Sequence, residues 1–473
     1  MDETLIPPKP TSGKASPLRQ LRDALKPGKE GSKVGYKVLV VRHKLPRIPG
    51  FSQRYTYSVR DPAVARELLV ERAADFPKSR IMYAMLSPLV GNSVFVSNGE
   101  VWRKQRVVMD RAFEAARLRD AFPKILDASN AFVARLESPA AEGSVVAIES
   151  EATHAAADII FRTIFSEPID GKSAGELFRA FSGFQRLAYV HGIVSLTGLP
   201  LWIMPGRLRS WRRARKIRAA LGSLLDRRLE ALASGAAVPQ DDILANLLDS
   251  KDPDSGEALG RTELLNEIAT LFLAGHESSA AAIGWSLYLL ALSPEAQDRA
   301  RAEVLSVLGD REPTFADMSK LTFLRDVFRE TLRLYPPVAN VARETTKDET
   351  LGKWSIGPGA PVFVRTWQLQ RHPEIWPEAD RFDPDRWQCP YARKAQKQAY
   401  LPFSLGPRVC SGAAFAMLEA ALILALLLRR YRFSPPEGAA APEPTVRLTM
   451  RSANGIDLKV EALEGASPLP LDR

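Results

Sequence analysis

From Asp61 onward, apolar residues recur at spacings of three and four for most of the next three hundred residues, the period of helices that bury one face. Pro62 stands where a helix start tolerates it, and the spacing predicts helices near 63–69, 100–120, 124–136, 149–165, 174–188, 207–233, 241–249, 261–292, 294–307 and 320–335. The flanks follow another pattern. YKVLVVRH (36–43) and RYTYSVR (54–60) cluster β-formers around Pro46, Pro49 and Gly50, which reads as two strands and a turn. Beyond Pro336 and Pro337, residues 344–364 are again β-rich and 371–387 form a Pro- and Trp-rich meander. Residues 446–460 have the form of a hairpin turning at Asn454 and Gly455. Residues 189–206, YVHGIVSLTGLPLWIMPG, stay apolar while their Gly and Pro break the helical rhythm. No internal repeat is present. The pattern predicts a mainly α protein with a smaller β-rich part, organised as a single domain over 36–473.

Composition narrows this further. Of 473 residues, 45% are hydrophobic and 25% charged, ample for a large core and unlike a disordered or collagenous chain. The most apolar stretches, 280–292 and 420–428, fall short of the roughly 18 to 20 residues a bilayer requires. The leader 1–35 has five prolines and no apolar run of signal-peptide length. Two cysteines, Cys389 and Cys410, leave no disulfide framework and point to a reducing, cytoplasmic setting. The net charge of +10 is uneven, because residues 1–50 hold 11 Lys/Arg against 4 Asp/Glu. This basic, Pro-rich leader reads as a solvated tail. No aromatic and basic interleaving accompanies the charge, which argues against nucleic acid as a partner. Arg207, Arg209, Arg212, Arg213, Arg215, Lys216 and Arg218 follow the apolar 189–206 segment. Either a weak peripheral membrane contact or a buried loop beside a solvated helix fits that pattern.

Cys410 lies in FSLGPRVCSG (403–412), directly before an apolar helix expected from Ala413. A cysteine in such a place is most often an inert thiol. Here the N–H groups and positive dipole end of the helix would stabilise a thiolate, Gly406 and Gly412 would admit a flat ligand close to the backbone, and Arg408 adds a cation two residues away. The arrangement suits an anionic sulfur on a metal with one open face.

The segment resembles the haem-binding loop of the cytochrome P450 superfamily, whose Phe, Gly, Arg, Cys and Gly spacing is met by Phe403, Gly406, Arg408, Cys410 and Gly412. The resemblance implies the P450 fold, haem b as cofactor and Cys410 as its thiolate ligand. Other segments extend it. Glu330 and Arg333, three apart on one helix face, would on their own be read as a surface pair. In the superfamily an arginine of the later meander completes this pair, and Arg386 in FDPDRW stands at the matching place as part of a structural lock. AGHESS (274–279) puts a polar cluster in an apolar helix, where it must face solvent or line a cavity. It resembles the oxygen-activation motif, with Ala274 and Gly275 making room for dioxygen and Glu277 and Ser278 relaying protons. Ser278 replaces the usual Thr and lacks the methyl that restrains the rotamer. His276 lies away from that face and is not expected as a ligand. Trp102, Arg106 and Arg343 resemble propionate contacts.

The resemblance covers essentially all of the chain except the leader and implies a monooxygenase acting on a hydrophobic small molecule. Segments 81–96, 181–205, 271–278 and 338–342 are expected to line its pocket. No flavin or ferredoxin segment is contained in the chain, so electrons are expected from a ferredoxin and its reductase. The expected docking surface includes Arg103, Lys104, Arg106, Arg111, Arg117 and Arg119. Two alternatives stay open: a haem-thiolate peroxygenase, dehydratase or isomerase on the same fold, and a non-enzymatic haem-binding sensor.

Overall fold

The computed structural model describes residues 40–44, 55–169, 171–196, 204, 206–252 and 256–463. The leader 1–35 and the first part of the predicted 36–43 strand lie outside them. The long helices are α1 (Arg80–Val90), α2 (Gly99–Ala112), α3 (Ala115–Arg135), α4 (Ile148–Phe165), α5 (Gly171–Ser195), α6 (Arg207–Ala233), α7 (Arg261–Ala291), α8 (Pro294–Leu308), α9 (Thr322–Leu334) and α10 (Ala413–Arg430). The strands are β1 (Val40–Lys44), β2 (Tyr55–Val59), β3 (Val145–Ala147), β4 (Val341–Glu344), β5 (Glu349–Leu351), β6 (Trp354–Ile356), β7 (Pro361–Val364), β8 (Tyr431–Ser434), β9 (Pro444–Val446), β10 (Met450–Ser452) and β11 (Asp457–Ala462).

The first helical turn after β2 forms as the sequence dictates. Asp61 caps it by accepting the N–H groups of Ala63 at 2.6 Å and Val64 at 3.0 Å, while Pro62 occupies a position that has no intrahelical partner to lose. The main sheet has the order β1-β2-β7-β4, parallel between β2 and β7 and antiparallel elsewhere. Its register sets Val59 opposite Val364 and Arg343 opposite Val362. Helix α7 runs through the middle of the protein, packed along α4, with α1, α6, α9 and α10 around it. Its apolar residues are buried on every side, as expected of a helix at the centre of a core.

Three expectations about elements are corrected. The helix expected over 100–120 breaks at Phe113 and Glu114, because Glu114 is extended and Phe113 turns inward to meet Phe415 edge-to-face at 6.1 Å. Residues 189–195 stay helical, since Gly192 does not break α5 but lets Met85 of α1 pack against it; an added Cβ would lie 2.3 Å from the Met85 sulfur. Residues 446–460 are not one hairpin. β10 pairs with β9, whereas β11 pairs with β3 and β8 in another sheet. Asn454 fastens the preceding loop instead, accepting the Glu443 N–H at 2.7 Å and donating to the Ala441 carbonyl at 3.1 Å.

Candidate active site

Cys410 sits between the 3-10 turn Gly406–Arg408 and α10. Its N–H donates to the Phe403 carbonyl at 2.9 Å, and the Val409 N–H to that of Gly406 at 3.0 Å, so the loop is folded back on itself. Gly406 has φ +70°, and a Cβ there would fall 2.1 Å from the Leu69 carbonyl oxygen. The close approach that requires this glycine is to the π-helical turn Glu67–Glu71. At Gly412 an added Cβ would stand 4.0 Å from the Cys410 sulfur, and the Gly412 N–H points at that sulfur. The Cys410 side chain is exposed. Desolvation by the protein around it pushes the thiol up, opposed by the Gly412 N–H, Arg106 and Lys78.

Helix α2 clamps this loop. Arg106 donates to the Val409 carbonyl at 2.6 Å and pairs with Asp110 at 2.7 Å, whose other oxygen accepts the Ser411 hydroxyl at 2.7 Å. Arg408 lies over the Trp102 ring, 3.8 Å from its centroid, and donates to the Ser97 carbonyl and to Asn98 Oδ1. Arg343 of β4 is buried and donates to the Ala342 carbonyl. Lys78, which sequence reasoning missed, forms a β-bridge with Arg343 and donates to the Phe95 carbonyl.

Lys78, Arg106, Arg343 and Arg408 thus converge. Burial, then Arg343, Arg408 and Arg106, pulls the Lys78 ammonium well below its ordinary value; burial lowers Arg343 to about 10; burial with Arg343 and Arg106 lowers Arg408 to about 9. Lys78 and Arg106 act on the thiol, Arg343 and Arg408 act in turn on Lys78, and this group of four cations, with Asp110 as the carboxylate among them, fits a ligand that carries two carboxylates. The donor set therefore fits haem b. Among the described residues, no group of three or more His, Cys, Asp or Glu could hold a metal ion.

The opposite wall is α7. From 264 to 291 every residue is buried except Ala274, Gly275 and Ser278, so this helix opens onto a space only there. The Ser278 hydroxyl donates to the Ala274 carbonyl at 2.6 Å. Gly275 has a second duty that the sequence did not reveal: a Cβ there would collide with Ile160 of α4 at 2.4 Å. Glu277 is buried and turned onto other partners. Arg451 of β10 pairs with it at 2.6 Å, and the Thr449 hydroxyl donates to it at 2.7 Å. Burial opposes its ionisation, but Arg451, His276, Gln185 and Thr449 outweigh burial and hold the carboxyl below its usual value. His276 stays in the core, stacked on Phe272 and edge-on to Phe181, and burial lowers it to about 4.

Two further polar contacts were not foreseen. Ser279 donates to Glu419 of α10 at 2.6 Å, tying α7 to the helix that follows Cys410; burial raises Glu419 to about 8. Glu267 accepts the Val94 N–H at 3.0 Å, fixing the loop between α1 and α2.

The charge cluster away from the thiol is fully assembled. Glu330 accepts from Arg333 through two nitrogens, each at 2.8 Å, and from Arg386 Nε at 3.1 Å. Arg333 also donates to the carbonyls of Gln370, Ala379 and Arg381, and Arg386 to those of Pro377 and Glu378. The two arginines thereby hold the meander to α9.

The sequence matches the family described as Cytochrome P450 over residues 49–460. It is similar to cyclooctatin synthase of Streptomyces melanosporofaciens, 32% identical over 368 residues, which cover 76% of this chain and 77% of that protein. Cyclooctat-9-en-7-ol 5-monooxygenase of the same organism is 31% identical over 388 residues, covering 80% of each. Among solved structures, the cytochrome P450DA heme domain superimposes with a TM-score of 0.79 at 25% identity and covers 97% of both chains. No helix among the described residues is long and apolar enough to cross a membrane. The chain therefore belongs to the cytochrome P450 family, as a haem-thiolate monooxygenase with haem b as its cofactor.

Proposed function

We propose that the protein inserts one oxygen atom of O2 into a hydrophobic small molecule, with Cys410 as the haem ligand and electrons from a separate ferredoxin and its reductase. The observation that carries the site assignment is an exposed thiol at a helix start, acted on by Lys78 and Arg106, with Arg343 and Arg408 acting in turn on Lys78. When bound, thiolate-ligated haem supplies dioxygen activation. The residues supply the rest. Arg106, Arg343, Arg408, Lys78 and Trp102 orient the cofactor by its carboxylates. Phe403, Gly406 and Gly412 shape the loop that presents the sulfur. Ala274, Gly275 and Ser278 face the space above, where Ser278 Oγ can pass a proton once it leaves the Ala274 carbonyl. Glu277 serves that relay only after its carboxylate swings from Arg451, so its resting state is an ionised reserve. Glu330, Arg333 and Arg386 are structural.

An apolar substrate is supported by Leu271, which shares the helix face of Ala274 and Ser278 at the opening of α7. A relative named for a monooxygenase of cyclooctat-9-en-7-ol supports an alkene alcohol as one class to screen. For the electron donor, Arg106 is engaged by Val409 and Asp110, Arg103 pairs with Glu100, and Lys104 with Asp252. Arg117 likewise faces Asp120 at 3.9 Å, so the docking charge rests on the exposed Arg111 and Arg119. Reduction by an acidic ferredoxin should slow as salt rises, and more weakly in an Arg111→Gln/Arg119→Gln variant. A salt-insensitive rate refutes this surface. A cytoplasmic setting belongs to the same proposal, as does a single haem domain over 36–473 behind the basic leader.

The deciding experiment is the spectrum of the reduced protein with carbon monoxide. A strongly red-shifted Soret band reports thiolate ligation and should vanish in Cys410→Ser. A spectrum unchanged by that substitution removes Cys410 as ligand.

A further inference from the structure

Two arginines at the ends of β2 and β7 stand apart from the residues around Cys410. β2 and β7 are parallel with Val59 opposite Val364, and the Arg365 N–H donates to the Val59 carbonyl at 3.0 Å, so Arg60 and Arg365 leave the two strands side by side. Side chains alternate between the two faces of a sheet. Tyr57, Val59, Val362 and Val364 pack into one apolar cluster, which leaves Ser58, Phe363 and, next along, Arg60 and Arg365 to the opposite face. On that face Phe363 packs with Ala342 of β4, with Ile81, Met82 and Met85 of α1, and with Leu196 just beyond α5. These residues belong to the segments expected to line the substrate pocket. Both arginines are buried, and Tyr189 of α5 lies close enough to act on Arg365. An apolar face therefore ends in two adjacent guanidiniums and a phenol.

Two like charges side by side in a buried place repel each other, and desolvation adds to the cost. Burial lowers Arg60 to about 10; burial and then Arg60 lower Arg365 to about 9, with Tyr189 acting in the other direction. An anion set between the two guanidiniums reverses both effects, and a carboxylate matches a guanidinium by accepting two parallel hydrogen bonds. The sheet order β1-β2-β7-β4 puts Arg365 one strand and Arg60 two strands out from β4, whose Arg343 belongs to the cofactor cluster. We propose that Arg60 and Arg365, with the Tyr189 hydroxyl, bind the carboxylate of an apolar monocarboxylic acid whose hydrocarbon body lies along Phe363 and Ala342 toward α1. The acid group then sits on the strands outside β4, and the apolar end is left to reach the cofactor. This inference rests on the proposed oxygenase reading and names the substrate class of that site.

The test is titration of the full-length haem-loaded protein with decanoate, myristate and palmitate and with the alcohols of the same chain lengths, followed by calorimetry and by the ferric Soret band. The parent should bind at least one acid about tenfold or more tightly than its alcohol, the worth of a charge-assisted hydrogen bond. Arg60→Gln/Arg365→Gln should erase that preference and leave alcohol binding unchanged. Where the double variant loses haem, the comparison of acid with alcohol on the parent still decides, and Tyr189→Phe should weaken the acid alone. Equal affinity of the parent for acid and alcohol, no binding of any acid, or an acid preference that survives in the double variant overturns the proposal. The two readings fail separately. A normal red-shifted carbon monoxide band without acid preference removes this site and keeps the oxygenase, whereas acid preference without that band keeps the carboxylate site and removes the oxygenase.

Discussion

Glu330→Gln isolates the electrostatics of the buried lock, because it keeps the side chain's shape and removes one charge. In the parent, Glu330 is fully buried and accepts four hydrogen bonds, three from Arg333 and Arg386 and one from the Asp383 N–H at 3.1 Å. The amide replaces one acceptor oxygen with an NH2 group facing a guanidinium, and leaves two buried cations without their counter-charge. Breaking such a pair costs about 3–5 kcal/mol. Unfolding entropy near 2 cal/mol/K per residue gives roughly 1 kcal/mol/K for a chain of this length, so the melting temperature should drop by about 3–5 °C. The pH dependence has a definite sign. Burial works against ionisation of Glu330, but Arg333 and Arg386 outweigh it and hold its folded-state value below the ordinary one. The stabilisation is therefore fully present above the unfolded value, near 4.3, and is lost as pH falls through the lower folded value. Calorimetry of parent and variant from neutral to acid pH checks both points, and the gap between the two should close on the acid side. A gap below about 1 °C at neutral pH refutes the assignment of a net stabilising lock. Replacing all three residues by apolar ones should not restore stability here, since the carbonyls of Gln370, Ala379 and Arg381 would lose Arg333 as their donor.

Gly406→Ala should lower both haem content and melting temperature, because its Cβ would meet the Leu69 carbonyl at 2.1 Å in a backbone region that disfavours side chains; the haem-to-protein absorbance ratio reads the effect, and full loading at parent stability refutes it. Arg451→Met should remove the cation that holds Glu277 ionised, so that burial raises this carboxyl and protonates it at neutral pH. Infrared difference spectra should then gain a protonated-carboxyl band that is absent from Arg451→Met/Glu277→Gln, and a spectrum without that band removes Arg451 from control of Glu277.

What the sequence disclosed and what it concealed follow from the range of the interactions involved. Periodicity located the long helices because each buries a face whose spacing is written locally; α7 and α10 were visible as apolar runs before any contact was known. The loop of Cys410 was legible for a related reason, since Phe403, Gly406, Arg408 and Gly412 all lie within ten residues of one another. The misread elements are those whose cause lies far away along the chain. Gly192 was read as a helix breaker, but it is a packing site for Met85, more than a hundred residues earlier, and Gly275 likewise serves Ile160. Lys78 carried no signal because its significance comes from a bridge to Arg343. Glu277 illustrates the limit most sharply. Its position on α7 was readable, but its protonation is governed by Arg451 and Thr449, brought to it by a strand near the end of the chain. A motif can thus place a carboxylate beside a hydroxyl, while the tertiary partner decides whether that carboxylate rests as a proton donor or as an anion. In this chain the Arg451 pair favours the anion.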